Sequence, residues 1–300
     1  GTNDLPVVAA GDVTGGVTEV VTPVADDVET LDIDESKLTD SGTINNPSIG
    51  SFRVCTLPSV ITGSTTLPKI AGLVYRINGR VDVGTDQGAT EEAGDPADVT
   101  LTIDPGVTIF GATGVSFLAV NRGNRIDAVG TPTQPIIFTG RGNVVGSAND
   151  QTSQLWGGVV LLGRAPIHTC VGAGATPGTV NCQSAVEGLT GAFYGGGSPS
   201  DNSGRMQFIQ VRYPGFEVSP GNELNGITFA GVGSGTFAQN IQVHNSSDDG
   251  IEWFGGRVNG RNLVGLGNDD DTFDMDLGYK GFNQFLIGVQ TASANHVIEG

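Results

Sequence analysis

The sequence predicts an all-β fold, a parallel β-helix preceded by an irregular acidic N-terminal segment. Three observations carry this expectation. Units of 22 to 24 residues recur, with starts at 227, 251 and 273. Within them short apolar runs are closed by glycine, and 48 of the 300 residues are glycine, with no collagen-like period. No unit holds an amphipathic stretch of helical length. Glycine at that density beside Val, Ile, Thr and Phe marks short strands joined by tight turns.

Residues 1–70 read as an acidic, extended or partly ordered segment. "VADDVETLDIDESKLTDSG" has Lys37 as its only base and little periodicity, with a weak helix around "DESKLTD". From residue 71 the character changes. "GLVYRINGRVDVG" alternates like a strand, with Val74, Ile77 and Val81 as core contacts, and the acidic loop "TDQGATEEAGDPAD" follows. The runs "FLAV" at 117–120, "IIFT" at 136–139 and "VVLL" at 159–162 then start 19 and 23 residues apart. Beyond them "ITFAGVGSGTFAQNIQVHNSSDDG" (227–250) aligns with "IEWFGGRVNGRNLVGLGNDDDT" (251–272), and that with "FDMDLGYKGFNQFLIGVQTAS" from 273.

A repeat of about 20–25 residues, built from β-runs and glycine corners, stacks as a solenoid. The framework of leucine-rich repeats is absent, and a propeller blade needs about 40 residues. A parallel β-helix over 71–300 remains, with an inserted loop at about 165–205. "TASANHVIEG" stops inside what reads as another coil, so the native chain is expected to continue past residue 300.

Composition excludes some partners. A net charge of −18 offers no basic surface to displace phosphate counterions, so no nucleic acid is expected. Anionic lipid is disfavoured for the same reason. No run approaches the roughly 20 apolar residues of a transmembrane segment. The start "GTNDLPVVAAGD" lacks Met and a signal peptide, which reads as a processed product, with room for a lipidated cysteine just upstream.

Cys170 and Cys182 bracket the loop "CVGAGATPGTVNC", and a disulfide closing so short a loop suits an exported protein. The alternative, a metal pair with His168, lacks a fourth ligand. Cys55 is odd, either buried and free or paired outside this chain.

The segments "LTIDPGVTIFG", "IDAVGTPTQPIIFTG", "WGGVVLLGRAPI" and "SSDDGIEWFGG" together resemble coils of secreted bacterial right-handed parallel β-helix proteins of the pectate-lyase-like superfamily. The resemblance covers roughly residues 99–300. It implies fold and export, and it leaves activity open, because such folds host lyases, hydrolases, adhesins and surface proteins.

The alignment stacks carboxylates. Glu252 falls over Asp274, Phe254 over Asp276, and Asp248 and Asp249 near Asp270 and Asp271. Three readings follow. Calcium takes about six to eight oxygens in flexible geometry, and Asp248, Asp249, Glu252, Asp270, Asp271, Asp274 and Asp276 are candidate ligands for it. The same groups read equally as a solvated corner, neutralised in part by Arg257, Arg261 and Lys280. Catalysis is the third reading: Asp248 and Asp249 resemble the paired aspartates of polygalacturonase-type β-helices, and Arg257 or Arg261 the arginine base of pectate lyases. The Gly-His-Gly and Arg-x-Lys elements of the former are missing, and His244 fits a polar ladder as well as a site. "GVGSG" at 231–235 is a solenoid corner with no helix behind it to bind phosphate. Trp253 alternates with Glu252 and so belongs to the core, whereas Trp156 and Tyr213 are candidates for stacking on a glycan. The sequon "NSS" at 245–247 matters only in a host that N-glycosylates.

The expectation is an exported structural or binding module, secreted or held at a bacterial cell surface, with a lipid anchor to the outer membrane as one route. Calcium stabilises it, and its partners are a polysaccharide or another surface protein. The alternatives are a polysaccharide lyase or glycoside hydrolase using the carboxylates, and a subunit that self-associates into extracellular oligomers or filaments.

Overall fold

The computed structural model describes residues 38–90 and 99–300. Most of the acidic segment, the start of the weak helix at 34–40, and residues 91–98 of the acidic loop lie outside the described residues. β1 (Thr39–Asn46) and β2 (Gly50–Thr56) form an antiparallel hairpin. The chain then winds through β3 (Val60–Ile61), β4 (Thr65–Leu67), β5 (Leu73–Ile77), β6 (Arg80–Val83), β7 (Thr100–Ile103), β8 (Thr108–Gly111), β9 (Phe117–Val120), β10 (Arg125–Val129) and β11 (Ile136–Gly140). A single helical turn, α1 (Arg141–Val144), precedes β12 (Gly158–Leu162). After an insertion come β15 (Gly204–Arg212), β18 (Ile227–Ala230), β19 (Phe237–His244), β20 (Ile251–Phe254), β21 (Asn259–Leu266), β22 (Phe273–Asp276), β23 (Asn283–Val289) and β24 (Ile298–Glu299). The insertion carries β13 (Ser184–Ala185) and β14 (Phe193–Tyr194), and the hairpin of β16 (Glu217–Ser219) and β17 (Asn222–Glu223) follows β15.

Successive coils pair in parallel, as a solenoid requires. One sheet runs β3-β6-β9-β12-β18-β20-β22-β24, parallel throughout. The other curls round the remaining sides: β15 pairs β10 with its first half and β11 with its second. The bend falls on residues in the left-handed region, Phe208, Asn240, Asn262 and Phe285, at φ between 51° and 62°. Asn tolerates that conformation, and Asn262 Nδ2 donates to Asn240 Oδ1 of the coil below at 2.8 Å. Since β3 and β4 already pair with β6 and β7, the coils begin before residue 70, inside the segment expected to be irregular.

Side chains alternate across the first sheet. The column Val81, Leu118, Val159, Ile227, Ile251, Phe273 points inward, as does Val83, Val120, Leu161, Phe229, Trp253. Trp253 is buried between Phe229 and Phe273, with ring centroids 6.0 and 6.5 Å away. The intervening column points outward and changes character along the axis: Asp82, Ala119, Val160, Thr228, Glu252, Asp274, Glu299.

The insertion between β12 and β15 lies flat on this outward face rather than projecting from it. Phe117, Ala119, Val160, Leu162, Ala230 and Phe254 of the sheet pack against Ile167, Val186 and Tyr194 of the insertion. Those are the apolar residues that water would otherwise meet. Buried Arg122 clamps it, donating to Gln183 Oε1 (2.7 Å) and the Gly195 carbonyl (3.0 Å) while holding Asp86 with two nitrogens. The Cys170–Cys182 disulfide closes its loop, and Cys55 is buried.

Candidate metal centre

The turns 245–250 and 267–272 lead into β20 and β22 and stack one coil apart. Gly250 N–H donates to the Asp271 carbonyl (2.8 Å) and Asp269 N–H to the Ser246 carbonyl (2.9 Å). Asn268 Oδ1 accepts from Ser246 N–H at 3.1 Å. Only glycine fits at 250, where a Cβ would lie 2.3 Å from Asn268 Nδ2 and 2.6 Å from the Thr272 carbonyl oxygen. Because equivalent residues sit about 4.8 Å apart along the axis, acidic residues at equal positions face each other.

Two groups of carboxylates result, sharing Asp249. Ligating atoms of Asp249, Glu252 and Asp274 lie within 4.8 Å of one another, and all three residues are buried. Asp248, Asp249 and Asp270 meet the same limit, with Asp270 exposed. Like charges at that spacing repel by roughly 1 kcal/mol in water and roughly 3–4 kcal/mol at an effective dielectric constant near 20. Protons answer part of that cost. Burial first, then Asp249, Asp274 and Asp248, pushes Glu252 up to about 10. Burial and Asp248 push Asp249 up to about 9. Asp248 is raised to about 7 by burial and by Glu223, Asp270 and Glu187. Asp274 is raised to about 6 by burial and Asp276.

What opposes these shifts is hydrogen bonding alone. Asp271 N–H donates to Asp249 Oδ1 at 2.9 Å, and the Asn225 amide donates to Glu252 Oε2. No described ion pair joins an arginine or lysine to either group. Two buried oxygens there have no hydrogen-bond partner, Asp274 Oδ1 and Asn225 Oδ1, in residues 8% and 2% exposed. Asn225 spends its Nδ2 on Glu252, and its carbonyl oxygen is buried beside that contact without a donor. Buried acceptors without a donor are what a hard cation satisfies.

The expected register is therefore present: Glu252 pairs with Asp274 and Phe254 with Asp276. Asp276 is exposed at the strand end and belongs to neither group. Asp271 turns to a third set, with His296 Nδ1 3.2 Å from its Oδ1 and Glu299 beside it. Arg257 and Lys280 follow β20 and β22 at the ends opposite the acidic turns. Arg261 lies on β21 in the other sheet, over the Phe285 ring, so neither arginine stands as a base beside Asp248 and Asp249. Trp156 and Tyr213, expected to offer stacking faces, are 0% and 3% exposed. Trp156 is buried against Phe138 and donates to the Arg212 carbonyl, and Tyr213 packs on His244. His244 lies in that buried stack, pushed down to about 4 by burial and then Arg212.

Asn225, Glu187, Glu223, His296 and Glu299 escaped the sequence reading. Glu299 was within reach, since extending the register of Glu252 and Asp274 by one coil lands on it. The others sit on insertions or loops, which carry no repeat.

A family model, the pectate-lyase like beta helix domain, matches residues 90–300, and the chain belongs to that family. Neither the curated proteins nor the solved structures gave a match to it.

Proposed function

We propose that this β-helix is an exported structural and binding module whose coils are locked by calcium at Asp249, Glu252 and Asp274, with Asp248 and Asp270 outside them. The observation that carries the reading is the buried trio with two donor-less oxygens and no basic partner among the described ion pairs. All ligands are hard oxygens, which suits calcium over softer metals, and magnesium is seldom held in an all-protein cage. Calcium between two coils stabilises their stacking and leaves the outer faces to meet a glycan or another surface protein. The disulfide supports an oxidising compartment, hence secretion or cell-surface display. No described helix is long and apolar enough to cross a membrane.

Lyase or hydrolase chemistry has less support. Inverting hydrolysis needs carboxyl groups about 6.5–9.5 Å apart to admit a water. The trio is drawn together as a chelate is, and the candidate arginine bases lie elsewhere. The test is a thermal melt in EDTA and in millimolar calcium, for the wild type and Asp249→Asn. Calcium raises the wild-type midpoint and leaves the variant where it was. Equal wild-type midpoints in the two buffers would sink the proposal.

A further inference from the structure

The outward side of the curled sheet changes character in its last coils. Beside the core residues Ile241, Val243 and Leu263, one outward column reads Gln210, Gln242, Val264, Ile287. The next reads Arg212, His244, Leu266, Val289. At the bend, Asn240 and Asn262 give way to Phe285. Three neighbouring columns thus turn from polar to apolar between β19 and β23. Phe285, Ile287 and Val289 are 54%, 50% and 55% exposed. Earlier in the chain the outward Ala119 and Val160 are sealed by the insertion, whereas no described segment seals these. A contiguous apolar patch of this kind marks a surface that meets something.

Area and charge say what it meets. With half-buried Val264 and Leu266, the three exposed side chains offer on the order of 350 Å² of apolar surface. An interface at the small end of the standard range takes about 600 Å² from each partner, a little over half of it apolar, so the patch suffices for one. The chain carries −18, yet β15, β19, β21 and β23 hold no Asp or Glu. On this side two copies can approach without opposing carboxylates. The charges bordering the patch differ in sign from end to end. Arg261 stands at the bend, its guanidinium 5.4 Å from the Phe285 ring centre, and exposed Asp269 sits in the turn after Leu266. Neither belongs to a described ion pair. A two-fold axis near the Val264–Ile287 pair carries the Arg261 end of one copy onto the Asp269 end of the other, so the patch is self-complementary.

We propose that a second copy of this chain covers the patch, forming a two-fold symmetric dimer. Val264, Leu266, Phe285, Ile287 and Val289 pack against their copies, and Arg261 pairs with Asp269 of the other copy on both sides of the axis. The contact is made by outward side chains and closes after two copies, whereas coil-on-coil stacking would continue without limit. It uses none of the buried trio and so stands or falls separately from the calcium site.

Sedimentation equilibrium of the full 300-residue chain in EDTA, where no ion can bridge acidic copies, tests this. A monomer–dimer equilibrium without larger species is expected, with a dissociation constant in the micromolar range that suits so small an interface. Arg261→Glu and Asp269→Lys should each weaken it by about tenfold. Both residues are exposed, so the fold tolerates the changes. The double variant Arg261→Glu/Asp269→Lys should return to within about threefold of wild type, because each copy then presents the reversed pair to the other. A chain that stays monomeric at every concentration would overturn the dimer. So would an open-ended series of oligomers, or a double variant that associates no better than the single ones.

Discussion

On the proposed reading, calcium must displace protons from the trio, and the number can be worked out. At pH 7 Glu252, at about 10, and Asp249, at about 9, hold theirs. Asp248, at about 7, holds about half of one, and Asp274, at about 6, very little. The unfolded chain, with carboxyls near 4, holds almost none. The native state without calcium therefore carries about two and a half protons more than the unfolded one. These pKa values are raised on folding, so their stabilising contribution is complete below about pH 4 and is lost as pH rises through 6 to 10. The linkage slope is at most about −3.5 kcal/mol per pH unit near neutrality. In a chain of this size that is several degrees of melting temperature per unit. Calcium replaces the protons, so its affinity rises with pH, by up to about a hundredfold per unit where two protons leave. Calorimetry at pH 7 in two buffers of different ionisation enthalpy counts them. A count near two is expected. No proton release, together with a melting temperature in EDTA that is flat from pH 6 to 9, would refute the reasoning.

Four further outcomes follow from particular contacts. Glu252→Gln keeps an acceptor for Asn225 and removes the need to take up a proton on folding at pH 8, so its midpoint in EDTA at that pH rises above wild type while the calcium response falls by at least half. Gly250→Ala forces a Cβ into the Thr272 carbonyl and should lower the denaturant-derived stability by about 2 kcal/mol or more. Reducing Cys170–Cys182 removes a closure worth about 3 kcal/mol in the chain-entropy model, and protease should then cut within 165–200 well below the global melt. The last coil of the 300-residue chain exposes Phe285, Ile287 and Val289 on β23. Sedimentation should therefore show self-association that Phe285→Ser/Ile287→Ser reduces.

The coils were legible because a solenoid writes its register into the sequence. Steps of 24 and 22 residues place Glu252 over Asp274 with no tertiary information, and alternation alone sends Trp253 inward. What stayed hidden is what breaks the period. Strands β1 to β4 lie in a stretch whose outward positions are polar and whose runs are two to eight residues long. Trp156 and Tyr213 read as free because they flank irregular segments, yet Trp156 belongs to the core against Phe138 and Tyr213 packs on His244. The burial of the acids was likewise unreadable, since it comes from the insertion and the β16–β17 hairpin.

That last point bears on what the carboxylates are for. An outward column of a β-helix faces water by default, and Glu252 over Asp274 would then cost roughly 1 kcal/mol, screened further by salt. Here the same column carries Ala119 and Val160 in earlier coils, and the insertion that seals those apolar residues reaches on to Phe254. Sealing the apolar half thus buries Glu252 beside it, and the cost of the acids rises several-fold. A chain needing only solubility has no reason to seal them, and one needing a salt bridge has arginines available, since Arg122 and Arg164 already anchor the insertion a few coils below. The arrangement makes physical sense with an ion in it: desolvation then strengthens each carboxylate–cation contact by the same factor that it strengthens the repulsion between bare acids.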